Sequence, residues 1–300
     1  MHCVACSNAG RTLLLSQQRM AADRPLRCAT CARAWRRPRV RYACIAAGTI
    51  AADSFAACRH PAARFVQPKK ESASMSVTST IDSGELVAFV ERATREFAQA
   101  VRVLKDTRTL SATNTLQAFQ RVPGTDLVVA LSAPSPWAAS QEIQPVVVTF
   151  DGDVLHGDTR AGGNGPRYAD VFREAPEVDV VIHVHGPYLG AWASAHRALP
   201  IRYAPAARHT RAREIPIYID RRPGEPRFIV DTIRRDPQVP AILEANGGAT
   251  FWGKSIVDVS KYILILEEAA YFQALAEPLG GSREFGPGAL EQQWKMTGLA

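Results

Sequence analysis

Two histidines at the end of an apolar run are the residues of this chain best suited to chemistry. They are His183 and His185, in the stretch from Val178 to Tyr188 that reads V-D-V-V-I-H-V-H-G-P-Y. Residues i and i+2 of a β-strand point to the same face, so both imidazoles lie on one face of the strand predicted there. Neutral imidazole is the commonest protein ligand for zinc, and the pair therefore predicts a metal site. The alternative is a hydrogen-bonded pair at a loop or subunit contact.

The elements that must position this pair alternate between helices and strands. Apolar residues at three- and four-residue steps predict a helix over Ser83–Asp106, and Ser255 is a suitable N-cap for a long helix reaching about Ala276. Further strands are predicted at Leu127–Leu131, Val146–Phe150, Ile215–Ile219 and Val239–Leu243, with helices at Tyr168–Arg173, Pro187–His196 and Phe228–Arg235. Strands interleaved with helices place residues 75–300 in the α/β class as one domain.

The net charge of +7 is unevenly distributed along the chain. Residues 1–74 hold 13 Lys and Arg against 3 Asp and Glu, a net charge of +10, and residues 75–300 carry a net charge of −3. The larger part therefore lacks the basic surface expected of a nucleic-acid-binding protein. It also contains no apolar run long enough for a membrane-spanning helix. We expect neither nucleic acid nor membrane as a partner.

All 6 cysteines lie in the basic leader, residues 1–74. Their absence from 75–300 fits a reducing cytoplasm. We favour a translation start at Met75, with the leader disordered or not translated. Two alternatives stay open: a zinc knuckle formed by the pairs Cys3/Cys6 and Cys28/Cys31, and an export signal.

Three blocks of sequence in the larger part resemble the class II aldolase/adducin family, over roughly residues 85–278. They are His183–Tyr188 with Ala191 and Ala193, Ala241–Gly248 with Gly253, and Leu266–Ala270. The resemblance implies a three-layer α/β domain whose central, mainly antiparallel sheet of the nine-stranded type is flanked by helices. It also implies a homotetramer and metal-dependent lyase or epimerase chemistry, in which a metal ion, typically zinc, stabilises an enediolate.

Two site positions differ from the family's pattern. The resemblance implies a third metal histidine in an Asn-His-Gly motif, but this chain reads Asn246-Gly247-Gly248. It also implies a catalytic acidic residue 19 positions before His183, where Asn164 stands. Asparagine can hydrogen-bond a substrate but cannot act as a general base. The third ligand is left open between His209 and a carboxylate, including one from another subunit.

The family's phosphate-binding loops match Thr113–Thr115 and Pro134–Pro136 of this chain. Asn114 is kept, but the glycines that let backbone N–H groups approach a phosphate are not. Pro136 also lacks an N–H donor. This pattern argues against a phosphorylated substrate and leaves a carboxylate and a neutral group as alternatives.

The working hypothesis is a divergent divalent-metal-dependent lyase, of the aldolase or decarboxylase type. Its substrate would be a small hydroxy- or oxo-acid or a sugar-derived carbonyl compound. His183 and His185 would hold zinc, with manganese and iron as alternatives, and Asn114, Asn164 and Asn246 would orient the substrate. The competing hypothesis is a non-catalytic, adducin-like scaffold domain.

Overall fold

A computed structural model describes residues 83–158, 167–220 and 223–298. The leader with its cysteine pairs and the start predicted at Met75 lie outside the described residues, and so does Asn164. The division at residue 75 therefore stays a prediction.

Seven α-helices occur in the described ranges, and none of them is long and apolar enough to cross a membrane. The helix predicted over Ser83–Asp106 is confirmed with these bounds, and Ser255 caps the long helix by accepting a hydrogen bond from the Asp258 amide. The helices are α1 (Ser83–Asp106), α2 (Ala169–Glu174), α3 (Pro187–Ser194), α4 (Ala204–His209), α5 (Glu225–Arg235), α6 (Ile256–Ala276) and α7 (Ala289–Thr297), with a 3₁₀ turn at Glu277–Leu279.

A central sheet of eight strands and a separate two-stranded ribbon make up the β-structure of the described residues. The strands are β1 (Leu116–Arg121), β2 (Leu127–Ser132), β3 (Val146–Thr149), β4 (Val154–His156), β5 (Val180–Val184), β6 (Leu199–Pro200), β7 (Glu214–Ile215), β8 (Ile217–Tyr218), β9 (Ala241–Glu244) and β10 (Ala249–Gly253). The sheet order is β4-β3-β2-β1-β5-β10-β9-β8, antiparallel except for the β8/β9 pair. The mainly antiparallel sheet flanked by helices is thus confirmed.

Strand β5 lies inside this sheet and divides two hydrophobic cores. Val180, Ile182 and Val184 belong to the core formed with α1 and α6, whereas Val181 belongs to the core formed with α2 and α5. Alternate residues of a strand face opposite sides, so His183 shares the face of Val181. The sheet with helices on both faces is the three-layer arrangement that the resemblance implies.

The two strands beside β5 were not predicted, nor was the short β6, and one predicted strand is wrong. Strands β1 and β10, which flank β5 on either side, were missed. The strand predicted over Ile215–Ile219 is divided at Pro216 into β7 and β8, which belong to different sheets. Proline has no N–H to donate, and ladders therefore tend to end at it.

Candidate metal site and its surroundings

His183 and His185, hereafter the histidine pair, bring their Nε2 atoms to 3.1 Å from each other. The two rings meet edge to face at an angle of 74°. Two imidazole nitrogens on one tetrahedral zinc, at about 2.0–2.1 Å each, would lie about 3.3 Å apart. The same separation suits an N–H···N hydrogen bond between the rings. The geometry therefore fits two ligands of a single ion without requiring one.

The Nδ1 atom of His183 faces away from His185 and into the protein. It lies 2.8 Å from Oε1 of Glu244, at the end of β9, and 3.1 Å from the hydroxyl of Thr250 on β10. Metal-binding histidines commonly donate their second ring N–H to a carboxylate in this way. The contact leaves Nε2 as the nitrogen that is free to bind an ion.

Glu244 belongs to a polar cluster beneath His183 that consists of Arg167, Tyr168, Glu225, Glu244 and Thr250. Arg167 bridges the two carboxylates, with Nη2 at 3.2 Å from Oε2 of Glu244 and Nε at 3.1 Å from Oε2 of Glu225. The Tyr168 hydroxyl donates to Glu225 over 2.9 Å, and the Thr250 hydroxyl contacts both carboxylates. Glu225 is fully buried, at 0% exposure. Such a group is costly unless it is paired, and the network provides the pairing.

The cluster shifts the pKa of two of its members in opposite directions. Burial alone would raise the pKa of Glu244, but the hydrogen bond from His183 and its charge when protonated, together with the hydrogen bond from Thr250 and the charge of Arg167, hold that pKa well below its usual range. Burial and the neighbouring Glu225 raise the pKa of the Tyr168 hydroxyl well above its usual range. Glu244 is therefore an acceptor at neutral pH, and Tyr168 keeps a proton to donate.

Asn114 lies in a loop that runs beside the histidine pair. The Ser111 amide donates to the carbonyl of His185 over 2.8 Å, and the His185 amide donates to Thr115 over 3.0 Å. Asn114 has a left-handed backbone, at φ 54°, and its amide nitrogen is 3.5 Å from the carbonyl of Pro134. The two segments that match the family's phosphate loops thus lie next to each other.

Asn246 lies in the turn between β9 and β10. Its φ of 53° is left-handed, and its side-chain amide nitrogen is 2.9 Å from Nε2 of His196. In the same turn, a Cβ added at Gly248 would lie 2.0 Å from the carbonyl oxygen of Val184 and 2.6 Å from Cδ2 of His185. This turn therefore packs directly against the histidine pair. Gly247, where the resemblance implies a third metal histidine, lies between these two residues.

A third protein ligand is not found among the described residues. No group of three His, Cys, Asp or Glu side chains in those ranges is arranged to hold a metal ion. His209 lines a different cleft, together with Asp258 and Tyr262, that neither member of the histidine pair lines. Of the predicted site residues, the structure thus joins His183 with His185, places Asn114 and Asn246 in adjoining loops, and does not describe Asn164.

Sequence reasoning missed the whole polar cluster. The available signal was a charged or polar residue within each of two short apolar strands, Glu244 in A-I-L-E and Thr250 in A-T-F-W-G. A buried polar residue is more informative than an exposed one, but burial is visible only in the structure.

Solved structures with the same fold include several aldolases. L-fuculose 1-phosphate aldolase from Glaciozyma antarctica PI12 has 17% identity and a TM-score of 0.56, with 73% of this chain and 88% of that chain covered. Another L-fuculose 1-phosphate aldolase has 16% identity and a TM-score of 0.54, with 68% and 95% covered. An aldolase II superfamily protein from Pseudomonas syringae has 17% identity and a TM-score of 0.54, with 69% and 84% covered. At these identities the likeness concerns the fold.

The family model for the Class II Aldolase and Adducin N-terminal domain matches residues 95–274. The match includes the histidine pair, the described members of the polar cluster and the turn that contains Asn246. It covers more than half of the chain, and the protein therefore belongs to the class II aldolase and adducin family.

Proposed function

We propose that this protein is a divergent divalent-metal-dependent lyase of the aldolase or decarboxylase type. Its substrate would be a small hydroxy- or oxo-acid or a sugar-derived carbonyl compound. The observation that carries the proposal is the convergence of the two Nε2 atoms at 3.1 Å, with Nδ1 of His183 held by a carboxylate. A non-catalytic scaffold would use these two imidazoles only as a hydrogen-bonded pair.

His183 and His185 would hold the ion through Nε2, and the remaining positions are left to water, substrate and a carboxylate, including one from another subunit. When bound, a divalent cation supplies Lewis-acid stabilisation of the negative charge that carbon–carbon cleavage leaves on the substrate. Zinc is the first candidate, because imidazole suits it, and manganese and iron are alternatives.

The loop beside the pair offers neutral hydrogen-bonding groups to a substrate. The hydroxyls of Ser111 and Thr113 are 2.9 Å apart, and those of Thr113 and Thr115 are 3.0 Å apart. With the amides of Asn114 and Asn246, these groups suit the hydroxyl and carboxylate groups of a small acid. Asn164 is proposed as a third orienting residue. A homotetramer, as the resemblance implies, and a cytoplasmic location, which the absence of cysteine from residues 75–300 favours, complete the proposal.

Metal content tests this proposal directly. The full-length protein would be purified, supplied with zinc or manganese, and analysed by mass spectrometry beside a His183→Ala/His185→Ala variant. We expect about one equivalent of metal in the wild type and its loss from the variant. The matched control is His156→Ala/His209→Ala, which removes two exposed histidines and should keep the metal.

A screen of hydroxy- and oxo-acids for cleavage or carbon dioxide release would then define the activity. Absence of metal from a folded wild-type protein in every condition would reject the metal-dependent lyase and favour the adducin-like scaffold. Metal binding without turnover of any small acid would reject the substrate class alone.

A further inference from the structure

Glu244 determines which nitrogen of His183 carries the proton. Its Oε1 lies 2.8 Å from Nδ1 of His183, and its Oε2 accepts from Arg167 over 3.2 Å. Both oxygens of the carboxylate thus face donors. A carboxylate that only accepts hydrogen bonds requires a proton on the nitrogen that faces it. A neutral His183 would therefore carry its proton on Nδ1, with the lone pair on its Nε2 directed toward His185.

The rest of the polar cluster fits this arrangement of protons. Arg167 provides N–H donors to both carboxylates, and the hydroxyls of Tyr168 and Thr250 each have one proton to donate. The acceptors are the four oxygens of Glu225 and Glu244. Each of these four oxygens therefore faces at least one donor while both carboxylates remain unprotonated, although Thr250 shares its one proton between two of them and Nη1 of Arg167 has no hydrogen-bond partner among the described residues. A network in which every carboxylate oxygen is paired holds the two carboxylates in one orientation.

The cluster also has an imbalance of formal charge. It contains two carboxylates, and Arg167 is the one Lys or Arg of the described residues that forms an ion pair with either of them. The side chains of Arg167 and Glu244 are only 6% and 9% exposed. When His183 is neutral, one net negative charge is thus buried directly beneath it, where solvent screens that charge poorly. A cation held above His183 would balance it.

We propose that Glu244 is a positioning residue that fixes His183 with its Nε2 lone pair directed at the ion site, and that the anionic cluster strengthens cation binding where the third histidine is missing. The first half of this proposal, the orientation of His183 by Glu244, concerns the protein without any ion. The second half rests on the proposed function, because it requires an ion between His183 and His185.

The first half is tested by nitrogen NMR of the histidine side chains in the metal-free protein. The chain has 7 histidines, and the His183 signals are assigned by their loss in His183→Gln. We expect the Nδ1–H form of His183 in the wild type and in Glu244→Gln, whose amide oxygen can still accept. Glu244→Leu removes the carboxylate and leaves only the neutral Thr250 hydroxyl, at 3.1 Å, as a described acceptor for Nδ1, so we expect part of the population to change to the Nε2–H form. The Nε2–H form in the wild type would overturn the proposal, even if Glu244→Leu failed to fold.

The second half is tested by competition measurements of zinc affinity. Loss of an outer hydrogen-bond partner commonly weakens metal binding by about 10–100-fold, and we expect a loss of this size in Glu244→Leu. Glu244→Gln should recover part of the affinity, because it restores the hydrogen bond but not the charge. Glu91→Gln is the matched control, since the Glu91 side chain is 63% exposed and pairs only with Arg95. Equal affinities in all four proteins would overturn this half.

The two experiments separate failure of this proposal from failure of the proposed function. A wild-type protein that binds no zinc would reject the metal site, while the NMR result would still decide the role of Glu244. A wild-type protein that binds zinc with the same affinity as Glu244→Leu would keep the metal site and reject the role of the cluster.

Discussion

Two buried carboxylates lie on opposite faces of β5 and have different kinds of partners. Glu244 lies on the face of His183, where a guanidinium and the imidazole surround it. Glu267, on α6, lies on the other face and accepts from the backbone amides of Tyr188 and Leu189 at the start of α3, over 2.7 and 2.9 Å. No Lys or Arg in the described ranges forms an ion pair with Glu267.

The two carboxyl groups respond to burial in opposite ways. The pKa of Glu244 is held well below its usual range despite burial, because His183, Thr250 and Arg167 stabilise its charge. Burial raises the pKa of Glu267, and the two amide hydrogen bonds only partly oppose this. The comparison teaches that burial does not determine what a carboxylate can do. Its partners decide whether the charged or the neutral form is favoured.

Removal of Arg167 should produce the largest loss of stability on the histidine face. Arg167→Leu leaves Glu225 and Glu244 buried without their guanidinium, and breaking a buried pair in this way costs about 3–5 kcal/mol of unfolding free energy. Urea denaturation measures the loss. Arg95→Leu is the control, because the Arg95 side chain is 70% exposed and should lose less than about 1 kcal/mol. Similar losses of unfolding free energy in both variants would contradict the view that Arg167 stabilises the buried carboxylates on the histidine face.

Alanine substitutions at two glycines test how tightly the two faces of β5 are packed. Gly248→Ala would place a Cβ 2.0 Å from the backbone oxygen of Val184, whereas Gly186→Ala would place it 2.3 Å from the Glu267 carboxylate, a side chain that can shift. We expect a loss of about 3 kcal/mol for Gly248→Ala and about 1–2 kcal/mol for Gly186→Ala, the range of overpacked sites. Thermal or urea unfolding would measure both. Gly286→Ala, where no atom lies within 4 Å of the added Cβ, is the control.

Glu267→Gln should lower stability by about 1 kcal/mol near pH 5, since an amide replaces one of the two acceptors at the start of α3. Its effect should also depend on pH. The folded pKa of Glu267 is raised, so between the unfolded and folded pKa values the folded wild type binds more protons than the unfolded chain. Wild-type stability therefore falls as pH rises through this window, and Glu267→Gln lacks this fall.

Unfolding free energies of both proteins between pH 4 and pH 8 would test this dependence. The difference between them should shrink as pH rises. A difference that grows with pH would show that the ionised carboxylate is the favoured form on this face as well, and the comparison with Glu244 would fail.

Asn246→Gly should have the smallest effect on stability. Asn246 has a φ of 53°, which glycine adopts freely, so the change should stay within about 0.5 kcal/mol. Asn246→Ala should lose about 1 kcal/mol, because alanine is strained in this region. If Asn246 orients a substrate, Asn246→Gly should raise KM while its unfolding curve stays unchanged. An unchanged KM would remove Asn246 from the site.

The sequence predicted the parts of the fold that have strong local patterns. Strand β5 was found because its β-branched run is apolar on both faces, as a strand between two cores must be. Strand β1 reads L-Q-A-F-Q-R and was missed, since its glutamines and arginine interrupt the apolar pattern. The family resemblance supplied the sheet around these elements, and local periodicity alone did not.

The histidine pair could be predicted from spacing, but its surroundings could not. Glu244 is 61 residues from His183 along the chain, and Arg167 is 77 residues from Glu244. No local pattern relates residues so far apart, and only the order β5-β10-β9 brings the first two together. The loop that contains Asn164 lies outside the described residues, so its predicted role stays a prediction.

The alternation along β5 has a consequence for how the chain folds. A pairing error of one residue would turn His183 toward the apolar core of α1 and α6 and turn Val184 toward Arg167 and Glu225. Such an error would bury an imidazole among hydrocarbon and leave two carboxylates and a guanidinium without their partner. The polar residues beneath the proposed metal site therefore also penalise misfolded pairings of β5. Variants such as Glu244→Leu should then refold with more misregistered product, whatever their effect on activity.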